Sequence, residues 1–299
     1  MTFQEDSSRE KEFLKNIIKT QGTEKELDWI NHQENKFLNN FELRSFYISF
    51  SSASRFIRKN RLQLSEKQLA DAQALRKGFQ PQYWNMLQCV RTYLLLFIPS
   101  KDVESYKSIF TKLQETADIE EQVALYSALP ILPYPAAFIK QTAEGIRTNI
   151  TDVFDAIALN NPFPANYLEQ PAWNQMFLKA VFMQRPLYRI YGADERANPE
   201  LAGMLIDFAH ERWAASRMVL PELWRFVGPF LDKTNIADIE KVIHGEPLEK
   251  KAGLLACAQS EFGESQYLLN QYPGIKRDIE SGKVSWSAIG KKYQDKLQK

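Results

Sequence analysis

Apolar residues recur three and four positions apart along most of the chain, which is the period of an amphipathic helix. Ser65 can cap one such helix, with Gln68 as its capping-box partner and Gly78 just beyond its end. In the N-terminal part, the pattern predicts helices over residues 5–21, 25–39, 43–57, 65–77, 81–98, 102–116 and 119–129. In the C-terminal part, it predicts shorter helices over residues 236–244, 248–260, 264–271, 274–281 and from 285 onward.

Signals for β-structure are scarce, because the sequence has no sustained two-residue alternation and no Asn-Gly or Asp-Gly turn. Short helices that cannot bury their own apolar faces stack on their neighbours. The sequence therefore predicts an all-α fold of stacked antiparallel helix pairs, either a HEAT-like α-solenoid or an irregular helical bundle. We expect more than half of the residues to be helical and a single elongated domain over residues 1–299.

The composition is ordinary for a globular protein, with 44% hydrophobic residues, 25% charged residues and a net charge of +1. This balance argues against a nucleic-acid-binding protein, which would carry a basic excess. The most apolar run, residues 86–98, contains Arg91 and is shorter than the ~20 residues of a membrane span. The polar N-terminus shows no signal peptide, and Cys89 and Cys257 are too few for a disulfide framework. We therefore expect a cytoplasmic protein without a transmembrane segment.

The segment 130–232 differs from the flanking segments 1–129 and 233–299. It contains ten of the 14 prolines, and its basic residues are seven Arg and two Lys against eight Arg and 21 Lys elsewhere. Arginine is suited to fixed ion pairs and to planar recognition of carboxylate or phosphate. Asn198-Pro199 has the form of a helix N-cap followed by proline at the first helical position. The segment is thus the candidate functional part, although structural ion pairs explain the arginines about equally well.

Metal-binding patterns are incomplete. Asp207 and His210 are three residues apart on one predicted helix face, as in half of a di-metal site, but no second pair exists. Asp152 and Asp155 also lack the second acidic cluster that Mg²⁺–diphosphate chemistry needs, and Thr148 or Asn149 is expected to cap their helix. No glycine-rich phosphate loop, nucleophile elbow or zinc spacing occurs. We expect no metal and no cofactor.

The predicted helix from Trp173 onward is apolar on nearly every side, which indicates burial. Gln175 and Lys179 lie four apart on one strip of it, and both need polar partners if buried. We predict that the arginine-rich segment binds an anionic or polar small molecule, unless its acidic residues neutralise the arginines within the fold. The candidate binding residues are Arg147, Asn149, Asp155, Asn161, Trp173, Asn174, Gln175, Lys179, Arg196, Asp207, His210, Glu211 and Trp213.

The central block resembles the EboA family. The stretches that carry the resemblance are residues 124–135, 147–150, 153–165, 173–182, 196–202, 209–217 and 221–230. The match extends over about residues 120–232, while the N-terminal third is similar only in its helical character. The resemblance implies a protein of the bacterial ebo operon, which is associated with secondary metabolism and with moving precursors to the periplasm. It also implies partners among the other ebo-operon proteins, including a membrane prenyltransferase, but no catalytic residues.

Two functions remain open. The first is a non-enzymatic accessory protein of an ebo-type secondary-metabolite or lipid-linked precursor pathway, which binds an intermediate or a partner protein through the central block. The second is an enzyme with a polar pocket in that block, acting on a phosphorylated or prenylated small molecule. We favour the first, because no nucleophile, metal or phosphate motif is present and helical stacks usually bind.

Overall fold

The structure is a computed structural model that describes residues 7–297 of the 299-residue chain. Within that range it contains 17 α-helices and no strand, and 70% of the structure is helical. Arg61 and Asn85 form an isolated antiparallel bridge. The predicted all-α fold is therefore confirmed.

Contacts divide the chain into an N-terminal unit that ends at Leu168 and a C-terminal unit that begins at Glu169. The N-terminal unit contains α1 (Ser8–Gln21), α2 (Glu24–Asn39), α3 (Leu43–Ser52), α4 (Glu66–Leu75), α5 (Met86–Leu95), α6 (Val103–Thr116), α7 (Ile119–Ala128), α8 (Ile139–Gly145), α9 (Thr151–Ala158) and α10 (Phe163–Tyr167). The C-terminal unit contains α11 (Gln170–Phe182), α12 (Pro199–Ala214), α13 (Ile236–Ile243), α14 (Pro247–Ala258), α15 (Gly263–Asn270), α16 (Pro273–Glu280) and α17 (Trp286–Leu297).

Helix α5 lies at the centre of the N-terminal unit, because almost all of its side chains are buried. It packs against α1 and α7, and α7 in turn packs against α9. Phenylalanines fill the space beside these helices: the ring of Phe37 contacts those of Phe46 and Phe97, and Phe46 contacts Phe50. Each of the three buried rings, Phe37, Phe46 and Phe50, stabilises the fold by about 1.5–3 kcal/mol.

Helix α14 has the corresponding place in the C-terminal unit, where it packs against α13, α15, α16 and α17. Gly253 permits the close approach of α13, since a Cβ there would lie 2.9 Å from Ile243 and 3.2 Å from Val242. Two short 3-10 turns, Leu187–Arg189 and Pro221–Arg225, complete this unit's interior and both contact α17.

Local capping signals lie where the sequence predicts them. Ser65 Oγ accepts a hydrogen bond from Gln68 N at 3.2 Å, and Ser65 N donates to Gln68 Oε1 at 3.0 Å. Asn198 Oδ1 accepts from Leu201 N at 2.9 Å, with Pro199 as the first residue of α12. These two helix starts are fixed by side chains close in sequence.

Two predicted helices are shorter in the structure. The helix predicted over 43–57 ends at Ser52 and tightens into the 3-10 turn Ala53–Arg55. The helix predicted over 81–98 begins only at Met86, because Asn85 Oδ1 accepts from Gln88 N at 2.8 Å and caps it there. The HEAT-like arrangement and the division at 130 and 233 stay predictions.

Candidate functional site

The end of α12 brings Trp213 to a turn of the chain. Leu205 and Ala209 are buried on the inner face of this helix, and Trp213 follows one turn later, half-buried. The helix closes with hydrogen bonds from Ser216 N to Trp213 O and from Arg217 N to Arg212 O. Ser216 adopts the left-handed conformation, with φ of 54°. This closing turn, usually built with glycine, directs the chain away from the helix directly after Trp213.

Trp213 is surrounded by aromatic and cationic groups of the same unit. Its indole stacks on that of Trp224, with 5.7 Å between ring centroids and 20° between planes. Lys241 Nζ, from α13, lies 3.9 Å from the centroid of the Trp213 ring. His210 lies 5.8 Å away, and its Nε2 is 2.8 Å from Asp238 Oδ1. A cation at this distance from an indole face is held by the ring quadrupole.

A cavity of about 420 Å³ opens beside these tryptophans. Its volume is within the range of small-molecule sites. Glu249 Oε2 accepts from Glu246 N at 2.9 Å, so that carboxylate is engaged in capping α14. The two basic residues Arg217 and Lys241 outnumber the one carboxylate of the lining, which favours an anionic occupant. The lining residues are Trp213, Ser216, Arg217, Met218, Val219, Trp224, Lys241, Val242, His244, Gly245 and Glu249.

A second group of predicted residues meets between α11 and α12. The guanidinium of Arg196 lies 4.7 Å from the ring centroid of Trp173, which is fully buried. Asn174 exchanges hydrogen bonds with Asn198, with distances of 2.9 and 3.3 Å, and donates to Glu200 Oε2 at 3.2 Å. Burial lowers the pKa of Arg196. Because a carboxylate already lies at this helix start, the cluster links two helices and offers little to an anion.

The remaining predicted residues of the C-terminal unit are spread along helix surfaces. Lys179 is half-buried and its pKa is lowered by burial, whereas Gln175 is exposed. Asp207 and Glu211 are exposed on α12. Arg225 donates to Asp194 through Nε at 2.6 Å, so at least one central arginine is neutralised within the fold.

Four predicted residues lie in the N-terminal unit. Arg147 and Asn149 are exposed, and Asp155 is half-buried on α9. The amide of Asn161 is buried: Nδ2 donates to Tyr126 O and Ala156 O, and Oδ1 accepts from Phe163 N. The expected capping by Thr148 or Asn149 was wrong, because α9 begins at Thr151 and Thr148 Oγ1 accepts from Ile150 N instead.

Sequence reasoning missed Glu222, which is fully buried in the turn Pro221–Arg225. Burial raises the pKa of its carboxyl to about 8, although backbone N–H groups of Tyr188 and Leu187 and the charge of Arg225 act in the opposite direction. Its Oε2 accepts from Leu187 N at 3.2 Å, and its buried Oε1 has no hydrogen-bond partner. The carboxyl also abuts Gly290 of α17, where no Cβ would fit.

Trp224, Lys241 and Arg217 were missed as well. Trp224 lies in the block that resembles the EboA family, and this position is the one signal in the sequence that could have drawn attention to it. Lys241 lies outside the block, so nothing in the local sequence links it to Trp213. Among the described residues, no group of three His, Cys, Asp or Glu side chains is arranged to hold a metal ion. Nor does any helix in residues 7–297 have the length and apolar character to cross a membrane.

Comparison with known proteins gives a family match. The family model described as "Metabolite traffic protein EboA" matches residues 10–228, almost three quarters of the chain. The match thus reaches further toward the N-terminus than the sequence resemblance over 120–232. No curated protein matches the chain, and no solved structure does. Because a family model matches well over half of its length, the chain belongs to the EboA family of metabolite traffic proteins.

Proposed function

We propose that this protein binds a small, planar, anionic metabolite without transforming it, and that the cavity beside Trp213 is the binding site. The observation that carries the proposal is the ammonium of Lys241 held 3.9 Å from the indole of Trp213 in a cavity of about 420 Å³. An aromatic ring can pack against the exposed part of the Trp213 indole while its carboxylate, sulfonate or phosphate pairs with Lys241 and Arg217. The ligand is thereby recognised by shape and by charge together.

The positions of the side chains with shifted pKa values favour binding over catalysis. Catalytic residues usually combine a shifted pKa with a position in a cleft. The carboxyl of Glu222, with its pKa of about 8, does not line the cavity, and neither does Cys257, whose pKa is raised by burial to about 12. The family description as a metabolite traffic protein also fits an accessory role.

The cellular location, the pathway and the partners of the protein are also part of the proposal. We place the protein in the cytoplasm, where the free, buried Cys89 and Cys257 would stay reduced. We assign it to an ebo-type pathway of secondary metabolites or lipid-linked precursors. Its partners would be other proteins of that operon, the membrane prenyltransferase among them.

The charge requirement can be tested with two dyes that share their rings. 8-Anilinonaphthalene-1-sulfonate is an aromatic anion, and N-phenyl-1-naphthylamine is the same ring system without the sulfonate. We expect one saturable site for the sulfonate on the wild-type protein, with quenching of tryptophan fluorescence and weaker binding of the neutral dye. Lys241→Gln should weaken sulfonate binding about fivefold, which corresponds to about 1 kcal/mol for an ion pair between the sulfonate and an exposed ammonium group.

A matched control is available in the same unit. Lys250 Nζ lies 5.5 Å from the ring centroid of Tyr272 and does not line the cavity. Lys250→Gln should therefore leave sulfonate binding unchanged. Equal binding of both dyes, or equal losses in the Lys241 and Lys250 variants, would contradict the proposed site.

A further inference from the structure

The loop of residues 54–63, which begins within the turn Ala53–Arg55 and leads toward α4, is mostly exposed yet held in place. Residues 54–63 are all exposed except Ile57 and Leu62, whose side chains are 3% and 4% exposed and anchor the loop in the N-terminal unit. Leu62 N donates to Trp84 O, and Met86 N donates to Asn60 O, both at 2.9 Å. The loop therefore presents its other side chains to solvent from a fixed backbone.

A buried carboxylate fixes the middle of the same loop. Glu26 accepts hydrogen bonds from Arg58 N at 2.8 Å, from its Nε at 3.1 Å and from its Nη2 at 3.0 Å. Burial would raise the pKa of this carboxyl, but these bonds and two from Thr23 outweigh it and hold the pKa at about 2. Glu26 is thus ionised, and its hydrogen bonds with Arg58 hold the loop in place.

Two aromatic side chains on or beside the loop remain exposed. Phe56 is 49% exposed and stacks on Trp29, with 5.1 Å between centroids and 16° between planes. Tyr83 is 41% exposed, and the guanidinium of Arg61 lies 5.5 Å from its ring centroid. Exposed rings that lie together on a fixed surface are typical of sites that contact a partner.

The loop also carries cations that the protein does not neutralise. Of its four cationic residues, Arg58 pairs with Glu26, and Lys59 pairs with Glu120. Arg55 and Arg61 form no ion pair with any described carboxylate. The loop therefore offers a partner two guanidinium groups that have no ion-pair partner, beside two exposed rings.

We propose that this loop docks the protein on the surface of an anionic lipid bilayer. Aromatic rings prefer the headgroup region, and arginines are attracted to the negative surface potential of anionic lipids. A nucleic acid fits less well, because Phe56 already stacks on Trp29 and two cations without ion-pair partners neutralise few phosphates. The loop inserts its rings among headgroups while Arg55 and Arg61 pair with lipid phosphates. With so few contacts, the attachment is weak, reversible and sensitive to salt.

The full chain can be tested by co-sedimentation with vesicles of phosphatidylcholine alone and of an equimolar mixture with phosphatidylglycerol. We expect sedimentation with the anionic vesicles only, and its loss at high salt. The double variant Arg55→Gln/Arg61→Gln should weaken partitioning about 25-fold, because each arginine near an anionic surface contributes about fivefold. Phe56→Ser should weaken it about threefold or more through lost ring burial.

Matched controls remove the same groups elsewhere. Arg44→Gln/Arg277→Gln removes two exposed arginines outside the loop, and Phe182→Ser removes a ring that is 71% exposed. Both should leave vesicle binding within about twofold of wild type, because neither changes the loop. The proposal is wrong if anionic vesicles fail to sediment the wild-type protein at low salt, or if the control variants lose as much binding as the loop variants. It is also wrong if the loop variants lose binding to a single-stranded oligonucleotide but not to vesicles.

Discussion

Replacing Glu222 with glutamine should stabilise the protein at neutral and alkaline pH. The carboxyl is fully buried, and burial raises its pKa from 4.5 to about 8. Glu222 in the folded protein therefore holds a proton that it releases in the unfolded chain, so its contribution to stability is largest below pH 4.5 and is lost as the pH rises through 8. Each pKa unit corresponds to about 1.4 kcal/mol. Relative to pH values below 4.5, the free energy of unfolding thus loses about 3 kcal/mol at pH 7 and about 5 kcal/mol well above pH 8 through this one carboxyl.

Glutamine keeps the shape of the protonated acid and its acceptor for Leu187 N, but it cannot ionise. Urea unfolding, followed by circular dichroism at pH 5, 7 and 9, should show Glu222→Gln close to wild type at pH 5 and increasingly more stable above it. Glu211→Gln, at an exposed carboxyl on α12, is the control and should retain the wild-type pH profile. If Glu222→Gln also retains the wild-type profile, the carboxyl is ionised in the folded state and the reasoning is refuted.

Three further substitutions test local features of the fold by chemical unfolding. Ser216→Gly should stabilise the protein by about 1 kcal/mol, since φ is 54° there, whereas Ser281→Gly, with φ of −83°, should not stabilise it. Asn161→Ala should cost about 3 kcal/mol by leaving its buried backbone partners unpaired, and the exposed Asn149→Ala should cost almost nothing. Glu26→Gln should be about 2 kcal/mol less stable than wild type at pH 7, a deficit that shrinks as the pH falls from 4.5 toward 2.

The fold was predictable because helix signals are local. The capping box of Ser65 and Gln68 and the Asn198-Pro199 start of α12 depend on residues within three positions of each other. Helix ends were less predictable: the pattern runs on past Ser52, where the chain tightens into a 3-10 turn. Apolar spacing records which residues face inward, and it carries less information about where a helix stops.

The candidate site was only partly predictable, because it is assembled from distant parts of one unit. Trp213 stood out as a tryptophan in the arginine-rich segment, but the cation beside it, Lys241, comes from α13. His210 similarly meets Asp238, which no local pattern pairs with it. The burial of Glu222 arises from tertiary packing against α17, so its raised pKa cannot be predicted from the local sequence.

The most direct test of the central claim is mass spectrometry of small molecules captured from a cell extract by the wild-type protein and by its Lys241→Gln and Lys250→Gln variants. The account predicts an anionic aromatic compound that is enriched by wild type and by Lys250→Gln, depleted for Lys241→Gln, and released with the mass it had in the extract. A compound that emerges chemically altered would indicate an enzyme. Equal capture of the compound by wild type and by Lys241→Gln would contradict the assignment of the cavity beside Trp213 as the binding site.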